Sequence, residues 1–424
     1  MSEGRFPAPP PAPVSAAGPA SPGPASVSGV SPGGHAELIV RRGQILTMDP
    51  RAPFAEALAL GGGRVLAVGS EAELEGLRGT TTRVIDAAGA TVLPGLIDAH
   101  GHFGHVARSM AAAVDCRTPP CHAVADILAR ARARAGELPA GAWMLLQGTT
   151  FQDELLAERR FPTPAELDEV SREHPIVYRS SLHHLVLNHR ALRDARIDAH
   201  TPTPPGAHVE RDPGTGEPTG VLAEMFDRLP MPPASESQLA ASVRHTAWRH
   251  YLANGVTSIQ EIWDSPQPMR LIAQAQLAGE LPLRVRAYGW VPLAGSLEQV
   301  AGGRIADVPP REHWMEAAGV KLFVDGGTSS HTAAFYEPYL DAPHTRGALS
   351  HELGELVDMI ARADRLGAQV ALHACGDLAT DLALAALELA PARPRLRPRI
   401  EHGANTAWTP RRAAWARRLG VLPV

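Results

Sequence analysis

His100 and His102 stand two residues apart where an apolar run, residues 92–97, gives way to polar sequence. In a β-strand, side chains two apart share a face, so this spacing sets two imidazoles side by side where a buried strand runs out. Two neutral imidazoles so placed suit a divalent transition metal such as Zn, Fe, Ni or Mn. For an isolated H-x-H among 19 histidines, a pair of solvated loop histidines is an equally good reading. The pair is not isolated, however. VKLFVDG carries Lys321 and Asp325, VALHACGD carries His373 and Asp377, and RIEHG carries His402, each at the end of a strand-like run. A lone histidine there is more often a satisfied core residue, but four histidines and a lysine at equivalent places are hard to assign to chance. Cys375, two residues from His373, reads as a small buried residue before it reads as a soft ligand. Lys321 is the only lysine in the chain; the other 39 of the 40 basic residues are arginine. A position that kept an amine needs something a guanidinium cannot supply. An amine can be carboxylated to a metal-bridging carbamate or can form a Schiff base; arginine does neither.

The elements that must position these residues are legible in outline. Residues 1–35 are rich in Pro, Ala, Gly and Ser with almost no charge. Such a segment buries too little apolar surface to offset its ordering entropy, so a disordered tail is expected. Short strand-like runs between residues 36 and 91, with Gly61-Gly62-Gly63 as a turn, predict a small β domain. Residues 92–424 form the third part. A mixed region follows His102, with a helix over 123–136, strands over 143–148 and 176–179, and a Pro/Gly-rich loop over 201–220. From residue 256 strands and helices alternate to the end, which predicts βαβ units and a parallel sheet. Active sites in (β/α)8 barrels lie at the C-terminal strand ends, where the histidines and Lys321 fall. A metal held there would polarise a carbonyl and make a bound water acidic.

Composition excludes some classes. The net charge of −5 and pI near 6.4 give no electrostatic case for nucleic acid or an anionic membrane. No apolar run approaches the roughly 18–20 residues a membrane helix needs. Three cysteines, Cys116, Cys121 and Cys375, argue against a disulfide framework and fit a reducing cytoplasm.

The ordered set LPGLIDAHGH (93–102), SLHHLVLNHRAL (181–192), EPTGVLAE (217–224), NGVTSIQE (254–261), VKLFVDGGTSSHTAAFYEPY (320–339), ALHACGDLATDLALAALE (371–388) and RIEHG (399–403) resembles the amidohydrolase superfamily. Within it, the set is similar to amidohydrolase family 3, the YtcJ-like group that includes N-substituted formamide deformylases. The resemblance implies a (β/α)8 barrel beside a β-sandwich and metal-dependent hydrolysis of a C–N bond in a small amide or formamide. It implies one or two divalent ions, zinc first among them, held by His100, His102, His373, His402 and Lys321, the last carboxylated. Lys321, His373 and Asp325 are then the catalytic candidates. His183 and Asn188 match an HxxxxN segment near the substrate, with Ser181-Leu182 where the family has Asp-Gly, and His331 is a third substrate-contact candidate. Homodimers are common in such barrels. The family's eighth strand supplies a metal-binding Asp that accepts the proton of the attacking water, whereas this sequence stops as a seventh strand begins. The expectation is therefore either part of a longer product or a shortened, inactive or marginally folded homologue. Asp325 and Asp377 are the acids left at strand ends. A Schiff-base lyase built on Lys321 is a third reading, which the histidines disfavour.

Overall fold

The computed structural model describes residues 34–181, 183–204, 207–225, 229–230, 234–303, 305, 314–390, 396–403 and 407–424. Most of the expected tail lies outside the described residues. The chain divides into two compact units, Met1–Pro94 and Gly95–Val424.

In the first unit, Leu38–Arg41 pairs antiparallel with Ala57–Gly61 and parallel with Arg83–Asp86, and Arg64–Gly69 completes a four-stranded sheet. A second sheet joins Phe54–Ala55, Gln44–Leu46 and Thr91–Val92. Ala36, Ile39, Ala57, Ala59 and Leu74 form its small core. A short helix, Glu71–Leu74, was not expected from the strand pattern. Its start was written in the sequence all the same, because Ser70 and Glu73 form a reciprocal capping box.

The second unit is built on seven parallel strands: β1 (Leu96–Gly101), β2 (Val256–Trp263), β3 (Arg284–Trp290), β4 (Met315–Phe323), β5 (Gln369–His373), β6 (Arg399–Glu401) and β7 (Leu422–Pro423). Each strand pairs with the next in sequence order. This single winding, with helices in the connections, is that of a (β/α) barrel. Side chains alternate across the sheet. Val320 and Leu322 of β4 and Val370 and Leu372 of β5 pack outward against helices Leu353–Arg365 and Asp377–Leu389. Leu356, Ile360 and Ala363 give the first of these helices its apolar stripe. Each large buried side chain there contributes about 1.5–3 kcal/mol, so one charge at Ile360 would break the contact. Tyr288, Trp290 and Ala371 fill the opposite face. No described helix is long and apolar enough to cross a membrane.

Two expectations need correction. β1 is not a buried strand. It pairs only with β2 among the described residues, and Leu96 and Ile97 are exposed. The 201–220 stretch is not a loop throughout, because His208–Arg211 and Pro218–Ala223 form an antiparallel hairpin. Their polar, proline-bearing sequences hide the alternation that marks a strand. The hairpin belongs to a separate six-stranded sheet between β1 and β2, ordered His208–Arg211, Pro218–Ala223, His184–Leu187, Ile176–Ser180, Met144–Gly148 and Val114–Asp115.

Candidate metal centre and active-site cavity

His100 is the penultimate residue of β1, and His102 is the N-cap of helix Phe103–Ala112. The helix start is fixed from β2, where the buried Glu261 carboxylate accepts from the backbone N–H groups of Phe103 (2.6 Å) and Gly104 (2.9 Å). It supplies acceptors for two donors a helix leaves unpaired. Burial pushes this carboxyl up to about 8 against those two bonds.

The four histidine rings meet edge to edge. Ring centroids lie 5.4 Å apart for His100 and His102, 4.5 Å for His100 and His402, and 4.6 Å for His373 and His402. Burial, followed by neighbouring imidazoles and Lys321, drives His102, His373 and His402 well below the usual histidine range. The rings are therefore neutral and able to ligate.

Hydrogen bonding fixes which nitrogen His100 and His373 offer. His100 Nδ1 lies 2.5 Å from Glu401 Oε2. Burial alone would raise the Glu401 carboxyl, but hydrogen bonds from His100 and Arg399 hold it far below the carboxylate range. An ionised carboxylate only accepts, so His100 Nδ1 carries the proton and Nε2 keeps its lone pair. His373 Nε2 lies 3.1 Å from the carbonyl oxygen of Gly326. A carbonyl also only accepts, so here Nδ1 keeps the lone pair. These two lone-pair atoms, His100 Nε2 and His373 Nδ1, are buried without hydrogen-bond partners, and so is Lys321 Nζ. Three such orphans in one place need an explanation, and a cation accounts for the two imidazole nitrogens. Burial brings the Lys321 amine down to about 8, with Glu401 and Cys375 opposing. A deprotonated amine is the form that takes up CO2. The donor set thus offers a divalent metal two unpartnered imidazole nitrogens, on His100 and His373, with Lys321 Nζ beside them.

The remaining candidates separate. His183 lines the cavity beside this cluster. Its Nδ1 lies 2.9 Å from both oxygens of Glu224. Burial works against the protonated ring, but Glu224 outweighs it and raises the ring from its ordinary value. Asn188 contacts no ligand space. It is fully buried, caps helix His189–Asp194 through Ala191 N–H (2.9 Å), accepts from Ile176 N–H (3.0 Å), and donates to the carbonyls of Ser171 and His174. With all four hydrogen bonds spent internally, it is not a substrate contact. His331 pairs with Asp341 at 2.9 Å, is partly exposed and is not among the cavity-lining residues. Asp325 accepts from the backbone N–H groups of Ala334, Cys375 and Gly376 at 2.8–3.0 Å, and burial pushes it up to about 7. So engaged, it ties the ends of β4 and β5 together and has little left for a water. Asp377 binds Tyr336 N–H and faces Arg412. Cys375 is not merely a small core residue: it lines the cavity with Sγ 3.4 Å from His373 Nε2, and its thiol, pushed up to about 12 by burial, stays protonated. Asp325, His373 and Cys375 bring ligand atoms within 4.8 Å of one another.

The cavity measures about 490 Å³. Val106, Met110, Phe151, Trp290 and Phe323 give it an apolar wall, and the histidines form its polar end. Trp290, Phe323 and His373 stack in series at centroid spacings of 4.3 and 4.2 Å. None of the described residues of 201–220 lines it. Glu401, Glu261 and Glu224 carry much of the positioning. Each sits inside a motif quoted above, and Glu401 directly precedes His402, yet an acid at a strand end reads as solvated until its partner is seen.

Fold and site together define an α/β chain of barrel winding with a histidine–lysine cluster at its strand ends. The sequence profile of the Amidohydrolase family matches residues 83–423, and the chain belongs to that family, in its family 3 branch. It is 31% identical over 367 residues to an N-substituted formamide deformylase of Arthrobacter pascens, covering 83% of this chain and 66% of that one. It is 28% identical to the putative amidohydrolase YtcJ of Bacillus subtilis, covering 85% of this chain and 67% of that one. The chain thus spans about two-thirds of the length of these relatives. Among solved structures, it shares its fold with an uncharacterized metal-dependent hydrolase of Pyrococcus horikoshii at a TM-score of 0.65 and 23% identity, covering 91% of this chain and 74% of that one.

Proposed function

We propose that this chain carries the site of a metal-dependent hydrolase that cleaves the C–N bond of a small amide or formamide. The observation that carries the reading is the set of buried, unpartnered ligand atoms, His100 Nε2, His373 Nδ1 and Lys321 Nζ, within one cluster of neutral rings. When bound, a divalent ion, zinc first among those the donors suit, supplies Lewis acidity and an acidified water. The chain's residues do the rest. Glu401 orients His100, the carbonyl of Gly326 orients His373, and Phe323 and Trp290 stack in series against His373. The apolar wall accommodates the carbon substituents of the amide, leaving its carbonyl to the polar end. The relatives named above make formamides the first substrates to try. Metal-loaded protein assayed by amine release across N-substituted formamides and simple amides should show turnover that a chelator abolishes. Turnover that persists after complete metal removal would overturn the reading.

A further inference from the structure

Building on the hydrolase reading, we propose that His183 and Glu224 form a proton-shuttling pair. In this pair His183 Nε2 takes the proton of the attacking water and passes it to the departing nitrogen, while Glu224 holds the ring for both transfers. Nothing in the metal cluster requires Glu224, yet the fold invests heavily in placing it. The residue ends strand Pro218–Ala223 in a left-handed conformation, φ 56°, which a non-glycine residue adopts at a cost. Its half-hidden carboxylate accepts from Thr332 Oγ1 (2.8 Å), Gly327 N–H (3.2 Å) and Ser330 Oγ (3.2 Å) in addition to His183. The chain after β4 comes close enough to make those bonds only because it has no side chains there. A Cβ on Gly327 would lie 2.9 Å from the His183 ring, and one on Gly326 would lie 2.9 Å from Glu224 Oε1.

The arrangement fixes the tautomer. In the neutral ring, a carboxylate surrounded by donors accepts from His183 Nδ1–H, and the Nε2 lone pair then faces the cavity that His183 lines. The ring centroid lies 6.2 Å from that of His373, so a carbonyl at the metal cluster comes within reach of His183. The steps balance. As the new O–C bond forms, the water's proton moves to Nε2. The C–N bond then breaks, its electron pair stays on nitrogen, and Nε2 delivers the proton there. The imidazole ends neutral, as it began.

The test is a leaving-group series, from N-alkylformamides through formanilide to p-nitroformanilide, run on metal-loaded wild type, Glu224→Gln and His183→Gln with metal content measured in each. Both variants should lose about 10²-fold or more in kcat on the alkylamine leaving groups. On p-nitroaniline, a far weaker base that needs less help in departing, the loss should be clearly smaller, confined to the shared step of taking the water's proton, with metal content unchanged. A uniform loss across the series would overturn the shuttle alone. Absence of wild-type turnover across the whole series would overturn the hydrolase reading and the shuttle with it. Independently of turnover, ¹⁵N-histidine NMR at a pH high enough for the ring to be neutral, with His183 assigned by its disappearance in His183→Gln, should report protonated Nδ1 and unprotonated Nε2. The opposite tautomer would overturn the pair.

Discussion

Glu401→Gln perturbs a buried chain of three groups. Arg399 donates to both oxygens of Glu401 at 2.6 and 2.9 Å, and Glu401 fixes His100. Two effects follow, on different observables. Loss of the carboxylate behind a ligating histidine lowers metal affinity by about 10–100-fold, which is about 1.4–2.8 kcal/mol. The Arg399 guanidinium, only 3% exposed, is left without its counter-charge, which costs about 3–5 kcal/mol of folding stability. Restoring charge balance with Arg399→Gln in the same chain should recover most of the stability and none of the affinity. Competition against a chromophoric chelator reads the affinity, and urea unfolding of metal-free protein reads the stability. Wild-type affinity in Glu401→Gln would refute the orienting role. Recovery of affinity in the double variant would show that the loss came from strain rather than from the missing acceptor.

Other outcomes follow from the same geometry. Lys321→Met should raise the stability of the metal-free protein by about 1–3 kcal/mol in urea unfolding, because it removes a buried amine with no acceptor, while weakening metal binding. Lys321→Arg should abolish activity at unchanged net charge, because arginine carries no carbamate; a wild-type rate in that variant would sink the carbamate. Asn188→Ala should cost about 2–4 kcal/mol through its lost helix cap and stranded partners, with kcat/KM unchanged in the folded fraction. The hydrogen bonds from Arg160, opposed by burial and helped by the Thr163 cap, hold Glu166 at about 2. A carboxyl lowered on folding contributes stability above its unfolded value of about 4.3, and that contribution fades as pH falls toward 2. Glu166→Gln should therefore cost about 1–2 kcal/mol at pH 7 and progressively less between pH 4.5 and 3, as read by unfolding at each pH.

The sequence revealed the members of the histidine–lysine cluster better than it revealed what holds them. His100 and His102 were legible through the two-residue period of a strand, and Lys321 through being the only amine in an arginine-rich chain. Seven strands in sequential order followed from the alternation of strand and helix. The carboxylates were not legible because their meaning lies across long separations. Glu401 meets His100 301 residues away, Glu261 meets Phe103 at 158, and Glu224 meets His183 at 41. Asn188 was misread although its own signal was present. An asparagine just before a helical run is a capping residue, and that local role takes its whole hydrogen-bonding capacity. Of the sheet between β1 and β2, the strands expected over 143–148 and 176–179 are present, but the others were missed because they are short or largely polar.

The most direct test of the metal centre is anomalous diffraction, at the bound ion's absorption edge, from crystals of metal-loaded protein. The account predicts a peak within coordination distance of His100 Nε2 and His373 Nδ1, with extra density on Lys321 Nζ. A peak elsewhere, or none at this cluster in crystals whose protein carries stoichiometric metal, would contradict it.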